Sequence, residues 1–88
     1  MSNRASCFRG IARENVACIS FPSALFEEFQ KQLREEAKAR EKGWYYFRES
    51  TYNRTSHCFL EIKTPNCFEE FKEFFGGFCE EHDLNYNF

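Results

Sequence analysis

The chain has 88 residues and a formal net charge of −2, with 42% hydrophobic and 30% charged residues. This length leaves room for the core of one domain, 1–88, and the composition is globular rather than disordered. No segment provides the roughly 20 apolar residues of a membrane-spanning helix, and the N-terminal segment lacks the apolar run of a secretory signal. The negative charge disfavours a generally basic nucleic-acid binder.

Five cysteines are spread along the chain: Cys7, Cys18, Cys58, Cys67 and Cys79. An odd number without close pairs argues against a disulfide framework, so we expect reduced thiols in the cytoplasm, packed as small hydrophobic side chains. We expect no cofactor and no metal ion. Cys79 and His82 are three residues apart on a predicted helix, but Cys67 would lie about 18 Å away from Cys79 and could not share an ion with it.

The first half of the chain predicts two strands and a helix. Residues 1–7 are polar and are expected to fray. The apolar run 16–21 predicts a buried strand, and the run 8–12 either pairs with it or adds a strand at the sheet edge. After Pro22, Ser23 is expected to cap a helix that ends at Gly43. Its apolar face recurs at helical spacing and consists of Phe26, Phe29, Leu33 and Ala37.

The second half predicts a hairpin, a helix and a short strand. Residues 44–52 form an aromatic strand, 53–55 a turn, and 56–63 a strand with cleanly alternating faces. A helix begins near Pro65 or Asn66 and continues through Gly76-Gly77 to about His82. Residues 84–88 form the last strand. Two alternation sets compete for the core face of the aromatic strand, namely Trp44, Tyr46, Arg48 and Tyr52, or Tyr45, Phe47, Glu49 and Thr51.

The order β-α-β-β-α-β predicts an α+β fold of the ferredoxin-like βαββαβ arrangement, a four-stranded antiparallel sheet with both helices on one face. A phenylalanine-rich core would fill the space between the layers. The other face of the sheet would stay uncovered and would carry aromatic rings in either register. Exposed apolar patches of this kind mark binding surfaces.

Charge is concentrated at the end of the chain. Residues 66–88 carry one basic and six acidic side chains, whereas residues 1–23 carry three basic and one acidic. An acidic helix of this kind can dock on a basic partner surface, with electrostatic steering of association. Without a catalytic constellation, the sequence predicts a non-catalytic, regulatory protein-binding module of the type of a phage-borne inhibitor. Its expected acidic contacts are Glu69, Glu70, Glu73, Glu80 and Glu81.

Two further interpretations use the uncovered sheet face. A homodimer would bury Trp44, Tyr46 or Phe59 as anchors. Alternatively, the face would bind single-stranded RNA or DNA by stacking bases on Phe59. The strand order resembles that of RNA-recognition domains, whose third strand carries a glycine- and aromatic-rich motif. The comparable segment 56–62 lacks both glycines and the first aromatic residue, and the acidic balance also disfavours nucleic acid as the partner.

Overall fold

The computed structural model describes residues 3–10, 15–50, 56–65 and 67–88, which fold into one sheet and two helices. Neither helix in these ranges has the length and apolar content needed to cross a membrane. A 3₁₀ turn at Ser23–Leu25 leads into the first helix. In chain order the elements are β1 (Arg4–Arg9), β2 (Val16–Pro22), α1 (Phe26–Ala39), β3 (Tyr45–Ser50), β4 (His57–Lys63), α2 (Phe68–Glu81) and β5 (Asn85–Tyr86).

The sheet has five strands in the order β3-β4-β2-β1-β5, so the predicted four-stranded antiparallel sheet is wrong in strand number and in direction. β1 pairs antiparallel with β2 and parallel with β5. It therefore lies inside the sheet, between the two strands that a ferredoxin-like order would make neighbours, and not at the edge. With β1 removed, the remaining order is the predicted one, and the mixed α+β class is confirmed.

The first strand begins at Arg4, so most of the segment expected to fray is ordered in the sheet. The strand was not predicted because its alternation of core-facing and outward-facing side chains is short. Ala5 and Cys7 face the core, while Ser6 and Phe8 face outward, so the apolar residues of each face are too few to stand out in the sequence. Of the predicted run 8–12, residues 8–9 belong to β1, Gly10 follows the strand, and residues 11–12 lie outside the described residues.

Both helices were predicted at nearly their observed positions. Ser23 does not cap α1 through its side chain, because the 3₁₀ turn delays the helix until Phe26. α2 runs without a break through Gly76-Gly77, as predicted. A Cβ at Gly76 would lie 3.6 Å from the ring of Tyr86, so β5 packs closely over this turn of the helix. The predicted turn 53–55 and the alternative helix start at Asn66 lie outside the described residues.

The hairpin β3–β4 is confirmed, but a bulge changes its register. Tyr45 pairs with Lys63 and Tyr46 with Ile62, after which Arg48 pairs with Glu61. Because a bulge inserts one extra residue, it reverses the alternation of the strand beyond it. Neither of the two alternation sets expected from the sequence is therefore maintained, and Tyr45 and Arg48 face the same side of the sheet.

The core lies between the sheet and the two helices, which cover the same face. Phe21 of β2 contacts Phe29 of α1 at 4.9 Å between ring centroids and Phe75 of α2 at 5.9 Å. These three rings are fully buried, and Trp44 stands edge-on to Phe71 at 5.4 Å. The predicted phenylalanine-rich core is thus present, and Trp44 belongs to it.

Shortly after each helix, a residue other than glycine adopts the left-handed backbone conformation. Glu41 and Asp83 both have φ of 56°, and the predicted cap at Gly43 is wrong because its φ is not positive. After α1, the Lys42 amide donates to the Ala37 carbonyl at 2.8 Å, which satisfies one of the terminal carbonyls. The same kind of backbone hydrogen bond follows α2, and the chain then continues directly into β5.

Candidate binding face

The helices cover one face of the sheet, and no described residue forms a second layer over the other, here called the open face. It carries the outward side chains of β1 to β4 together with Asn85 and Asn87. Four large aromatic residues are exposed in the described part of the chain. Their exposed fractions are 64% for Phe8, 53% for Tyr45, 39% for Phe47 and 45% for Phe59. Phe47 lies in the bulge, and its ring packs 6.3 Å from that of Tyr45.

Strand register arranges the open face in rows that run across the sheet. One row places Ser6, Ser20 and Phe59 side by side, and the next contains Phe8, Cys18, Glu61 and Arg48. A third row brings Tyr45 beside Lys63. Since neighbouring strands lie about 4.8 Å apart, side chains within a row are direct neighbours. The aromatic rings and the cations therefore belong to one continuous surface.

Two depressions lie next to each other on this face. The first has a volume of about 420 Å³, and its walls include Phe8, Phe59, Arg48 and Cys18. The second, about 430 Å³, is polar and is lined in part by Arg4, Ser6, Ser20, His57, Asn85 and Asn87. Ser6 lines both depressions, so together they form a track across β4, β2, β1 and β5.

Hydrogen bonds hold the walls of this track in place. The hydroxyls of Ser6 and Ser20 lie 2.8 Å apart across the β1–β2 pair. His57 reaches across β2, and its Nε2 lies 3.1 Å from the carbonyl oxygen of Arg4. Because a carbonyl only accepts, Nε2 is the donor in this contact, and Nδ1 lies 3.2 Å from the Ser56 hydroxyl oxygen. The polar depression is thus preformed in the unbound protein.

Charge is divided between the two sides of the sheet. On the open face the described charged side chains are three cations and one carboxylate: Arg4, Arg48, Lys63 and Glu61. The rest of the described chain has seven cationic and twelve acidic side chains, most of them on the helices. The sequence led us to expect a dipole from one end of the chain to the other. The structure instead makes the open face positive and the helix layer negative.

Much of the predicted acidic site is engaged within the protein. Glu70 contacts Arg40 at 2.8 Å and Lys42 at 3.2 Å, and these hydrogen bonds lower the pKa of its carboxyl group. Glu69 lies 3.2 Å from Arg9 and 3.1 Å from Lys72.

At the other end of α2, Glu80 accepts a hydrogen bond from the Tyr86 hydroxyl, which raises the pKa of that tyrosine. Glu73 and Glu81 are exposed. The acidic helix is therefore partly neutralised by its own neighbours, and the five predicted acidic contacts do not act as one free surface.

The three predicted aromatic anchors lie in different environments in the structure. Trp44 is only 4% exposed, and its Nε1 donates to the Cys67 sulfur at 2.8 Å, so it cannot anchor a partner on the surface. Tyr46 is half-buried against Phe26 on the helix side. Phe59 alone of the three lies exposed on the open face. Phe8 was missed, and only the two-residue alternation of 4–9 could have identified it.

The cysteines and histidines do not assemble a metal site in the ranges that the structure describes, where no group of three or more potential ligands is found. All five cysteines lie in these ranges as thiols. Burial raises the pKa of Cys7 and Cys79 to about 12 and that of Cys58 to about 11. These three thiols pack in the core and stay protonated at neutral pH.

Comparison of the chain with models of protein families, with curated proteins and with solved structures gave no match. Function is therefore inferred from the chemistry of the open face.

Proposed function

We propose that this chain is a small, non-catalytic binding module that docks its open face on a macromolecular partner with a negatively charged surface. The observation that supports it is the coincidence, on the helix-free face, of exposed aromatic rings and net positive charge. Exposed aromatic rings and arginine are the residue types that most often supply binding energy at interfaces. Cations around them favour an anionic partner and accelerate its association.

The position of the site differs from the one that the sequence favoured. The sequence pointed to the acidic helix, whose charges stand out along the chain. In the folded protein, Glu69 and Glu70 already have cationic partners, and a basic groove would have to replace those contacts. On the open face, Arg48 is paired with Glu61 across the strands, and the cations still outnumber the carboxylates by three to one. We include a regulatory role in the cytoplasm in the proposal; the five free cysteines are compatible with the reducing conditions of that compartment.

The proposal is tested by reversing charge on each side of the sheet. The open-face variant combines Arg48→Glu with Lys63→Glu, and the control combines Arg34→Glu with Lys38→Glu on the exposed side of α1. Each is used to capture partners from an extract of the source cells. We expect the parent and the control to recover the same partner, and the open-face variant to lose it. Equal recovery by both variants would contradict the proposal.

A second candidate follows from the negative charge of the helix layer. Glu73 and Glu81 are exposed on α2, and they could dock on a basic protein surface in the manner of an inhibitor. The variant Glu73→Lys/Glu81→Lys would then lose the partner while Arg48→Glu/Lys63→Glu kept it, the reverse of the outcome expected above. A homodimer through the open face would bring like charges together, so we expect light scattering to show a monomer.

A further inference from the structure

We infer that the anionic partner of the open face is single-stranded nucleic acid, held by stacking of bases on Phe8 and Phe59. This inference rests on the proposed function and names the partner class for the same face. It is built on three features of that face: rings that expose their surfaces, cations beside them, and a polar track that continues from the rings across the sheet.

The rings supply a stacking platform. Phe8 and Phe59 line one depression of about 420 Å³, which is in the range of roughly 300–1,000 Å³ typical of small-ligand pockets. They stand on β1 and β4 with β2 between them and in adjacent rows, so their Cα atoms are roughly 12 Å apart. Base stacking on aromatic side chains tolerates any sequence, because every base has a π-face. Two separate rings in one depression can therefore hold two bases of an extended strand.

Cations flank the rings where phosphates would pass. Arg48 lines the same depression as Phe8 and Phe59, and Lys63 lies one row away beside Tyr45. At the far end of the track, Arg4 lines the polar depression. Glu61 lines the depression as well and is paired with Arg48 across the strands, so the three cations and one carboxylate leave a net positive path for the backbone. Contacts to the backbone phosphates make the affinity of a single strand depend on salt.

The polar depression extends the track beyond the rings. Its serine hydroxyls and the amides of Asn85 and Asn87 are able both to donate and to accept hydrogen bonds. Such groups fit the edges of unpaired bases and the sugar–phosphate backbone. A duplex fits poorly, because its bases are stacked on each other and cannot reach Phe8 or Phe59.

The experiment measures fluorescence anisotropy of labelled, mixed-sequence single-stranded RNA and DNA titrated with the full chain at several salt concentrations. We expect the logarithm of the binding constant to fall linearly with the logarithm of the salt concentration. The slope should be about −2, because three phosphates would be neutralised. Phe59→Ala and Phe8→Ala should each weaken binding by roughly 5- to 150-fold. Arg48→Gln should reduce the slope by about 0.7, whereas Arg34→Gln on α1 should leave affinity and slope unchanged.

Duplex DNA and polyglutamate are run in parallel, and urea titration checks that every variant is as stable as the parent. Weaker binding of both polymers than of the single strand supports the inference. Equal binding of all three polyanions, unaffected by Phe59→Ala, would overturn it while leaving an anionic partner in place. If no polyanion binds but the open-face charge reversal still abolishes capture of a protein, the partner is an acidic protein and the inference is wrong. If that reversal also has no effect, the proposed function fails too.

Discussion

The two faces of the sheet use the same residue type in opposite ways. Phe21 and Phe59 stand on neighbouring strands, one register position apart, yet Phe21 is 0% exposed and Phe59 is 45% exposed. Phe21 is enclosed by rings from both helices, whereas Phe59 is part of the wall of a surface depression. Burial of an aromatic ring is the main source of stability, and its exposure is what makes a binding surface. Amino-acid composition therefore cannot separate core from site, but strand parity can.

The largest expected difference between the faces is in stability. Phe71 of α2 is fully buried with Trp44 edge-on to its ring, so Phe71→Ala should lower the free energy of unfolding by about 3–5 kcal/mol, enough to unfold much of a small domain. Phe59→Ala, on the open face, should cost less than about 1 kcal/mol. Urea titration of both variants measures the contrast. Equal losses would mean that the open face is covered in the native protein.

Thiol chemistry provides a second contrast across the same sheet. Cys7 lies in the core and Cys18 on the open face, although β1 and β2 are paired. Burial raises the pKa of Cys7 to about 12, so iodoacetamide should modify it much more slowly than the half-buried Cys18. Peptide mapping over time should show rapid addition at Cys18 and Cys67, with the remaining thiols reacting only in urea. Simultaneous modification of all five would contradict the assignment of the faces.

The two adjacent glycines of α2 make a smaller and more local contrast. Gly76 faces Tyr86 of β5, whereas nothing lies within 4 Å of a Cβ at Gly77. Gly77→Ala should therefore stabilise the protein by about 1 kcal/mol, because glycine is a poor helix former. A larger side chain separates the two positions: Gly76→Leu should destabilise by about 1–3 kcal/mol through overpacking, and Gly77→Leu should not. Thermal unfolding of the Leu pair measures this, and equal midpoints would contradict the close packing of β5.

The sequence predicts the helices and the hairpin well, because their apolar side chains repeat at regular spacing over many residues. β1 escapes prediction as an interior strand because its core face contains only Ala5 and Cys7, and the pairing partner β5 is two residues long. The bulge at Phe47 is equally invisible, since it depends on the fit between two strands and not on either alone.

The candidate site depends on these two features. Phe8 and Arg4 belong to β1, and Arg48 turns toward the open face only because of the bulge. Phe59 was identified from its alternating strand. The ion pairs of the acidic side chains could not be predicted from the sequence either, because the partners of Glu69 and Glu70 are brought close to them only by the fold.

The smallest expected effect concerns the ion pairs that Glu70 of α2 makes within the helix layer. Hydrogen bonds from Arg40 and Lys42 lower the pKa of Glu70 in the folded protein below its value of about 4.3 in the unfolded chain. Its contribution to stability is therefore fully present above that value and is lost as the pH falls through the lower, folded pKa. Glu70→Gln should reduce the urea midpoint slightly at neutral pH and should not reduce it at a pH well below about 3. Glu73→Gln, an exposed position on the same helix, provides the matched control and should leave the midpoint unchanged at both pH values. A difference between parent and Glu70→Gln that stays constant with pH would show that the carboxylate of Glu70 stabilises the helix layer by packing and not by charge.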